Sequence, residues 1–299
     1  MRADGWHLTE DVDDFLGRAG DFLRSRPDLH TMPLTVTERL RARGDVPGAG
    51  ATVFGRLESG GEVRAACYRR PTGRLTLTGL SPGQADALAA HLAGLGVTLA
   101  GVTADHDTAT AFGEAWQRHA GAVATPGVRV LLHRLGTLTP PPLPAGRART
   151  AAAEDLDDVI RWVGEFAVAV GEDPAADTDS WARSRFADKH FTFWETPDGT
   201  PVSVAGSTSL VGGMVRVDPV YTPAHLRGRG YAGAVTAEVT RAALAAGASH
   251  VVLFTDPGNL TSNALYRRLG YVPIAHFTAY DFTAYDFTGQ DLPRGTPGS

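Results

Sequence analysis

The run Leu226-Arg227-Gly228-Arg229-Gly230-Tyr231-Ala232 has the residue types and spacing to hold an anion. An apolar, β-branched stretch, Met214 to Thr222, precedes it and reads as a strand. Ala232 to Ala246 follows as an almost unbroken set of helix formers, and Gly247 closes it as a C′ residue would. A Gly-x-Gly turn opening a helix directs backbone N–H groups outward. The helix dipole adds partial positive charge there, and Arg227 and Arg229 add full charges, which suits a phosphate or pyrophosphate. No Gly-Lys-Ser/Thr follows, so the turn is not a P-loop. The third glycine of a dinucleotide fingerprint is also missing.

A second constellation lies downstream. His250 to Thr255 reads as a buried strand. Asn259 follows, then Tyr266 seven residues on, then Gly270-Tyr271. Together the two motifs resemble the GNAT superfamily of acyl-CoA-dependent N-acyltransferases, over about residues 147–287. The superfamily's Gln/Arg-x-x-Gly-x-Gly/Ala signature falls on Gly228 and Gly230. Its first position is His225, a departure that leaves the glycines and flanking arginines in place.

The resemblance implies an N-acetyltransferase that moves an acetyl group from acetyl-CoA, its co-substrate, to a primary amine of a small molecule or peptide by direct attack. It implies a strand end, Val220, Tyr221 and Thr222, whose backbone holds the acyl-pantetheine arm, with the Val220 N–H as oxyanion donor. Pro219 cannot donate to a neighbouring strand, which suits a place where a sheet opens. The pyrophosphate is expected on the N–H groups from Arg227 through Gly228, Arg229, Gly230 and Tyr231 to Ala232. Tyr266 is the expected general acid for the departing thiolate. Asn259 is expected either to bond the pantetheine arm or to cap the following helix, and Asn263 is a second amide of the same kind. For the base, strand alternation puts Asp218 on the face of Val220 and Thr222. Glu165, on an earlier helix, is the rival. Two other functions share these motifs: a catalytically silent acyl-CoA-binding regulator, and a tandem acyltransferase of low-molecular-weight thiol synthesis. The acceptor has no portable motif.

The whole chain has 299 residues, of which 43% are hydrophobic, and a net charge of −5. The acidic balance argues against a nucleic-acid partner. Nearly all basic residues are arginines; Lys189 is the single lysine. Cys67 is the single cysteine, so no internal disulfide is expected. It lies in an apolar run that reads as core, and no Cys/His cluster suggests a metal. No apolar run reaches the length of a membrane helix, and the first residues lack a signal-peptide core, so a cytoplasmic protein, monomeric or homodimeric, is expected.

The elements that must position these residues fall on either side of a Pro-rich stretch. The expected division is a diverged GNAT-like domain at 1–136, without cofactor, a linker at 137–146, an active domain at 147–289 and a tail at 290–299. The fold class expected is α/β (α+β), each domain a mixed, largely antiparallel sheet flanked by helices. The second domain should carry a splayed parallel strand pair. Its elements are predicted as a helix over 154–169, a helix over 177–187, a hairpin from 191 to 210, the strand 214–222, the helix 230–246, the strand 250–255, the helix 260–269 and a last strand over 272–286. The first half shows strands at 63–69 and 74–78, a helix at 81–95, a strand at 97–103, a helix at 108–119 and a strand at 128–135, the same closing order. Its corner, Gly79-Leu80-Ser81-Pro82-Gly83, lacks arginines, and Pro82 lacks a donor. Phe277-Thr-Ala-Tyr-Asp281 recurs at once as 282–286. An odd period flips the strand face, so one copy alone is expected to fill the sheet position.

Overall fold

The computed structural model describes residues 5–43, 50–170 and 189–284. The predicted helix at 177–187 and the tail lie outside the described residues. The strands are β1 Gly5–Thr9, β2 Val53–Ser59, β3 Glu62–Arg69, β4 Arg74–Leu77, β5 Gly101–Asp105, β6 Ala122–Leu135, β7 Arg147–Thr150, β8 Lys189–Glu195, β9 Pro201–Thr208, β10 Met214–Tyr221, β11 His250–Thr255 and β12 Tyr271–Ala284. The helices are α1 Val12–Ser25, α2 Thr31–Arg43, α3 Pro82–Gly94, α4 His106–Ala120, α5 Leu156–Ala169, α6 Tyr231–Ala245 and α7 Leu260–Arg268.

Among the described residues, all twelve strands join one sheet in the order β1-β2-β3-β4-β5-β12-β6-β11-β10-β9-β8-β7. Two pairs are parallel, β4 with β5 and β10 with β11; the other pairs are antiparallel. The order is symmetric about its middle. The closing strand of the first half, β6, pairs with β11 of the second. The closing strand of the second half, β12, pairs with β5 of the first. The two closing strands also pair with each other, from Tyr271↔Leu135 to Ala284↔Ala122. Each half therefore completes the other's sheet.

Helices cover both faces. α3 and α4 bury Leu75, Leu77, Val102 and Ala104, while α6 and α7 bury Val215, Val217, Val251 and Leu253. On the other face α1 and α2 bury Leu132, Val252 and Phe277, and α5 buries Phe191, Phe193, Val204 and Tyr221. A sheet covered on both faces explains the duplicated pentapeptide. Both phenylalanines lie in β12, and the odd period sends Phe277 into the α1/α2 core and Phe282 into the α3/α4 core. The expectation that one copy alone fills the sheet is thus corrected.

Four elements before Val63 and the strand β7 were not anticipated from the sequence. α1 buries Val12, Phe15, Ala19 and Leu23 at helical spacing, and Asp11 caps it by accepting from Asp13 and Asp14 N–H. α2 is masked by Pro33 and three threonines, weak helix formers whose placement is set by packing.

Candidate active site

β10 and β11 pair over three residues only, Met214↔His250, Val215↔Val251 and Arg216↔Val252. β10 continues to Tyr221 on β9, and β11 continues to Thr255 on β6. Past Arg216 the two parallel strands have parted. The edge of β10 from Val217 to Tyr221 carries no ladder to β11, so an extended chain could lie along it.

The opening coincides with a bulge. Val217 pairs with Ser207 and Val220 with Ala205, so Asp218 and Pro219 together oppose Gly206. A Cβ on Gly206 would stand 2.7 Å from the Asp218 carbonyl oxygen and 2.9 Å from Phe191. Only glycine fits there. The bulge also corrects the placement of Asp218. Simple alternation puts it with Val220 and Thr222. The extra residue instead turns it to the α5 face, where Lys189 Nζ donates to Asp218 Oδ2 at 2.6 Å. Lys189 shares that face with Phe191 and Phe193, two and four residues along β8. Its side chain is 9% exposed.

Tyr221 also lies on the α5 face, and its hydroxyl donates to Glu165 Oε2 at 2.7 Å. Burial, then the bond to Glu165, raises the Tyr221 phenol above its ordinary value. The two candidate bases, Asp218 and Glu165, therefore share one side of the parted strand. Thr222 is buried. Its hydroxyl lies 2.8 Å from Ser203 Oγ, and its carbonyl accepts from Arg227 Nε at 3.0 Å. Ser203 Oγ donates to the Tyr221 carbonyl at 3.0 Å.

Val220 and Tyr266 belong to the opposite, α6/α7 side. Tyr266 is 8% exposed and its ring meets Tyr271 edge-on at 6.1 Å. Burial, reinforced by Tyr271 and by the charge of Asp218, pushes the Tyr266 phenol well up, so it stays protonated at neutral pH.

The corner after β10 is long, residues 222–229, and ends on α6. Gly228 and Gly230 both have positive φ, 78° and 86°. Gly230 is the N-cap of α6 and has no side chain to satisfy the first-turn N–H groups. Arg227, Gly228, Arg229 and Gly230 are exposed, while Tyr231 and Ala232 are half-buried at the helix start. Exposed N–H groups at a helix start beside two arginines are features that attract an anion.

The two asparagines serve the helix α7. Asn259 caps it, its Oδ1 accepting from Ser262 N at 3.1 Å. Asn263 is buried; its Nδ2 donates to the carbonyls of Asp256 at 2.9 Å and Pro257 at 3.3 Å, and its Oδ1 accepts from Thr255 Oγ1 at 2.7 Å. The expectation that Asn263 bonds the pantetheine arm is corrected by this geometry, since its amide is already bonded within the protein. Lys189, Gly206 and Ser203 were not singled out as site residues. Lys189 had a signal, as the single lysine among arginines, and Gly206 had another, as a glycine inside a strand.

Residues 156–271 match the Acetyltransferase (GNAT) family. That segment is thus a GNAT acetyltransferase domain, and the protein that carries it is an acyltransferase. Among similar solved structures is a tandem GNAT protein from the clavulanic acid biosynthesis pathway. It is 16% identical, with a TM-score of 0.59, covering 92% of this chain and 97% of that one. Others are a GCN5-related N-acetyltransferase from Kribbella flavida (20% identity, TM-score 0.54, 85% and 95% covered) and one from Sphaerobacter thermophilus (19%, 0.57, 94% and 96%). At these identities the likeness is one of fold, and it extends over both halves. No curated protein matches the chain by sequence. Among the described residues no helix is long and apolar enough to cross a membrane, and no cluster of His, Cys, Asp or Glu could hold a metal ion.

Proposed function

We propose that the chain is an acetyl-CoA-dependent N-acetyltransferase whose active unit is the second half, residues 147–289, joined by the 137–146 linker to a first half, 1–136, without cofactor. The observation that carries this reading is the coincidence of three features: the parted β10 edge, the uncapped glycine corner of α6, and a buried, protonated Tyr266 beside the opening. The backbone N–H groups from Arg227 to Ala232 hold the diphosphate, with Arg227 and Arg229 adding charge. Acetyl-CoA supplies the activated acyl group. The edge of β10 at Val220–Thr222 aligns its thioester, and the Val220 N–H donates to the oxyanion as it forms.

The amine approaches from the α5 face. Glu165, through Tyr221, and Asp218 stand there to take its proton. Glu165 is the stronger candidate, because the Asp218 carboxylate is already committed to Lys189. Tyr266 meets the departing thiolate from the other side and donates the phenolic proton, so proton uptake and proton release occur on opposite faces of the sheet. A cytoplasmic setting suits a chain whose single cysteine, Cys67, is buried and free.

Tyr266→Phe tests the reading. It keeps the ring and removes the proton donor. Turnover should fall about 10²-fold or more, with acetyl-CoA affinity unchanged. A variant that keeps its rate, or loses affinity in step with rate, would make Tyr266 a packing residue.

A further inference from the structure

We propose that His133, on β6 of the first half, is a positioning residue for Tyr266 in the second half. The inference rests on the reading of Tyr266 as the acid of the acyl transfer. His133 is fully buried. β6 runs between β11 and β12, where His133 stands opposite Leu253 on one side and Pro273 on the other. Its Nε2 lies 3.2 Å from Asn263 Oδ1 and 3.1 Å from Thr255 Oγ1.

The network assigns the protons. Asn263 Oδ1 can only accept, and Thr255 spends its single proton on that oxygen. His133 must therefore donate from Nε2. Its Nδ1 is then bare, in keeping with its being buried with no partner among the described residues. A second proton on the ring is disfavoured. Burial lowers the His133 pKa, and the Arg267 charge works in the same direction against the bond to Asn263. The neutral ring is a fixed single donor.

What this donor holds is α7. The helix has nine residues and, alone, would be marginal. Asn263 ties its first turns to the carbonyls of Asp256 and Pro257. Three residues on, Tyr266 projects from the same helix face. If Asn263 loses the bond that orients its amide, the turn and the phenol move with it. A displacement of about 1 Å at a reacting group can cost about 10²-fold in rate. The exchanged strand thus gives the first half a hand in the chemistry of the second.

The test uses the full chain. His133→Leu keeps bulk and removes the donor, while His133→Gln puts an amide N–H near the place of Nε2. Thr255→Val breaks the same network from β11 should His133→Leu fold poorly. One arm measures thiol release from acetyl-CoA with the most reactive amine of a panel of polyamines, aminoglycosides and peptide N-termini. His133→Leu, or Thr255→Val, should lower kcat about 10-fold with the acetyl-CoA KM within about twofold, and His133→Gln should recover most of it. In a Tyr266→Phe background the same substitutions should add less than about twofold, since both act on one step. Full additivity would overturn the proposal while leaving the acid role standing. A Tyr266→Phe enzyme of normal rate would overturn the acid role itself, and this coupling with it. The second arm needs no acceptor. In protein labelled with ¹³C-tyrosine, the ring signal that vanishes in Tyr266→Phe should shift in His133→Leu or Thr255→Val and return in His133→Gln. An unmoved signal would overturn the proposal.

Discussion

The two halves build the same strand-to-helix corner and finish it in opposite ways. In each, a parallel pair is laddered for three residues: Arg74↔Gly101 to Thr76↔Thr103 in the first half, and Met214↔His250 to Arg216↔Val252 in the second. In the second half β10 runs on past its partner, and the long corner 222–229 delivers two positive-φ glycines to a helix without a side-chain cap. In the first half β4 stops at Leu77, and residues 78–80 lead straight to Ser81. Thr78 is bound to Ala66 through its backbone N–H and its hydroxyl, so the chain stays on β3. Leu80 N donates to Thr108 Oγ1 at 2.9 Å, which ties the corner to the first turn of α4. Ser81 and Gln84 form a capping box, and Pro82 occupies the first turn. At the head of this helix Pro82 has no N–H, and the N–H groups of Ser81 and Gln84 are bonded within the capping box. One fold thus ends in an open corner or a capped one according to a few residues at the head of one helix.

That contrast can be broken at several points, and the largest expected effect comes from cutting the halves apart. A 147–299 fragment loses β6, leaving β11 and β12 with no strand between them and removing Leu132 and His133 from the interior. It should fail to give a cooperative thermal transition. A stable, monomeric and active fragment would show that the exchanged strands are dispensable. Next, Gly228→Glu puts a carboxylate and a strained φ where the diphosphate is proposed to sit, and acetyl-CoA binding should vanish in calorimetry. The matching Gly83→Glu has open space and an ordinary backbone, and should bind as the parent does. Equal losses would erase the difference between the corners. The smallest effect should come from Ser81→Ala, which removes the first half's cap. It should cost about 1 kcal/mol in denaturant unfolding and leave acetyl-CoA affinity alone.

Much of the second half was legible in the sequence because its signals are local. The glycine-arginine corner, the Asn259–Tyr266 spacing and the linker can each be read within a short window, and the structure places those elements within a residue or two of expectation. Three features were not legible, for physical reasons. The bulge at Asp218–Pro219 is set by contact with Gly206 on a neighbouring strand, so alternation alone put Asp218 on the wrong face. The exchange of β6 and β12 depends on pairing across more than a hundred residues, and either closing strand has the same pattern whichever half it joins. The bond from His133 to Asn263 follows from that exchange and has no trace near either residue. Asn263 was read as a ligand contact because an exposed and a buried asparagine look alike in sequence; burial and four protein partners decide otherwise.

The second-half corner is proposed to bind the diphosphate, while the first-half corner is capped by its own side chains. Isothermal titration of the full chain with acetyl-CoA tests this most directly. About one site per chain is expected, lost entirely in Gly228→Glu. Two sites of similar affinity, or one site that survives Gly228→Glu, would contradict it.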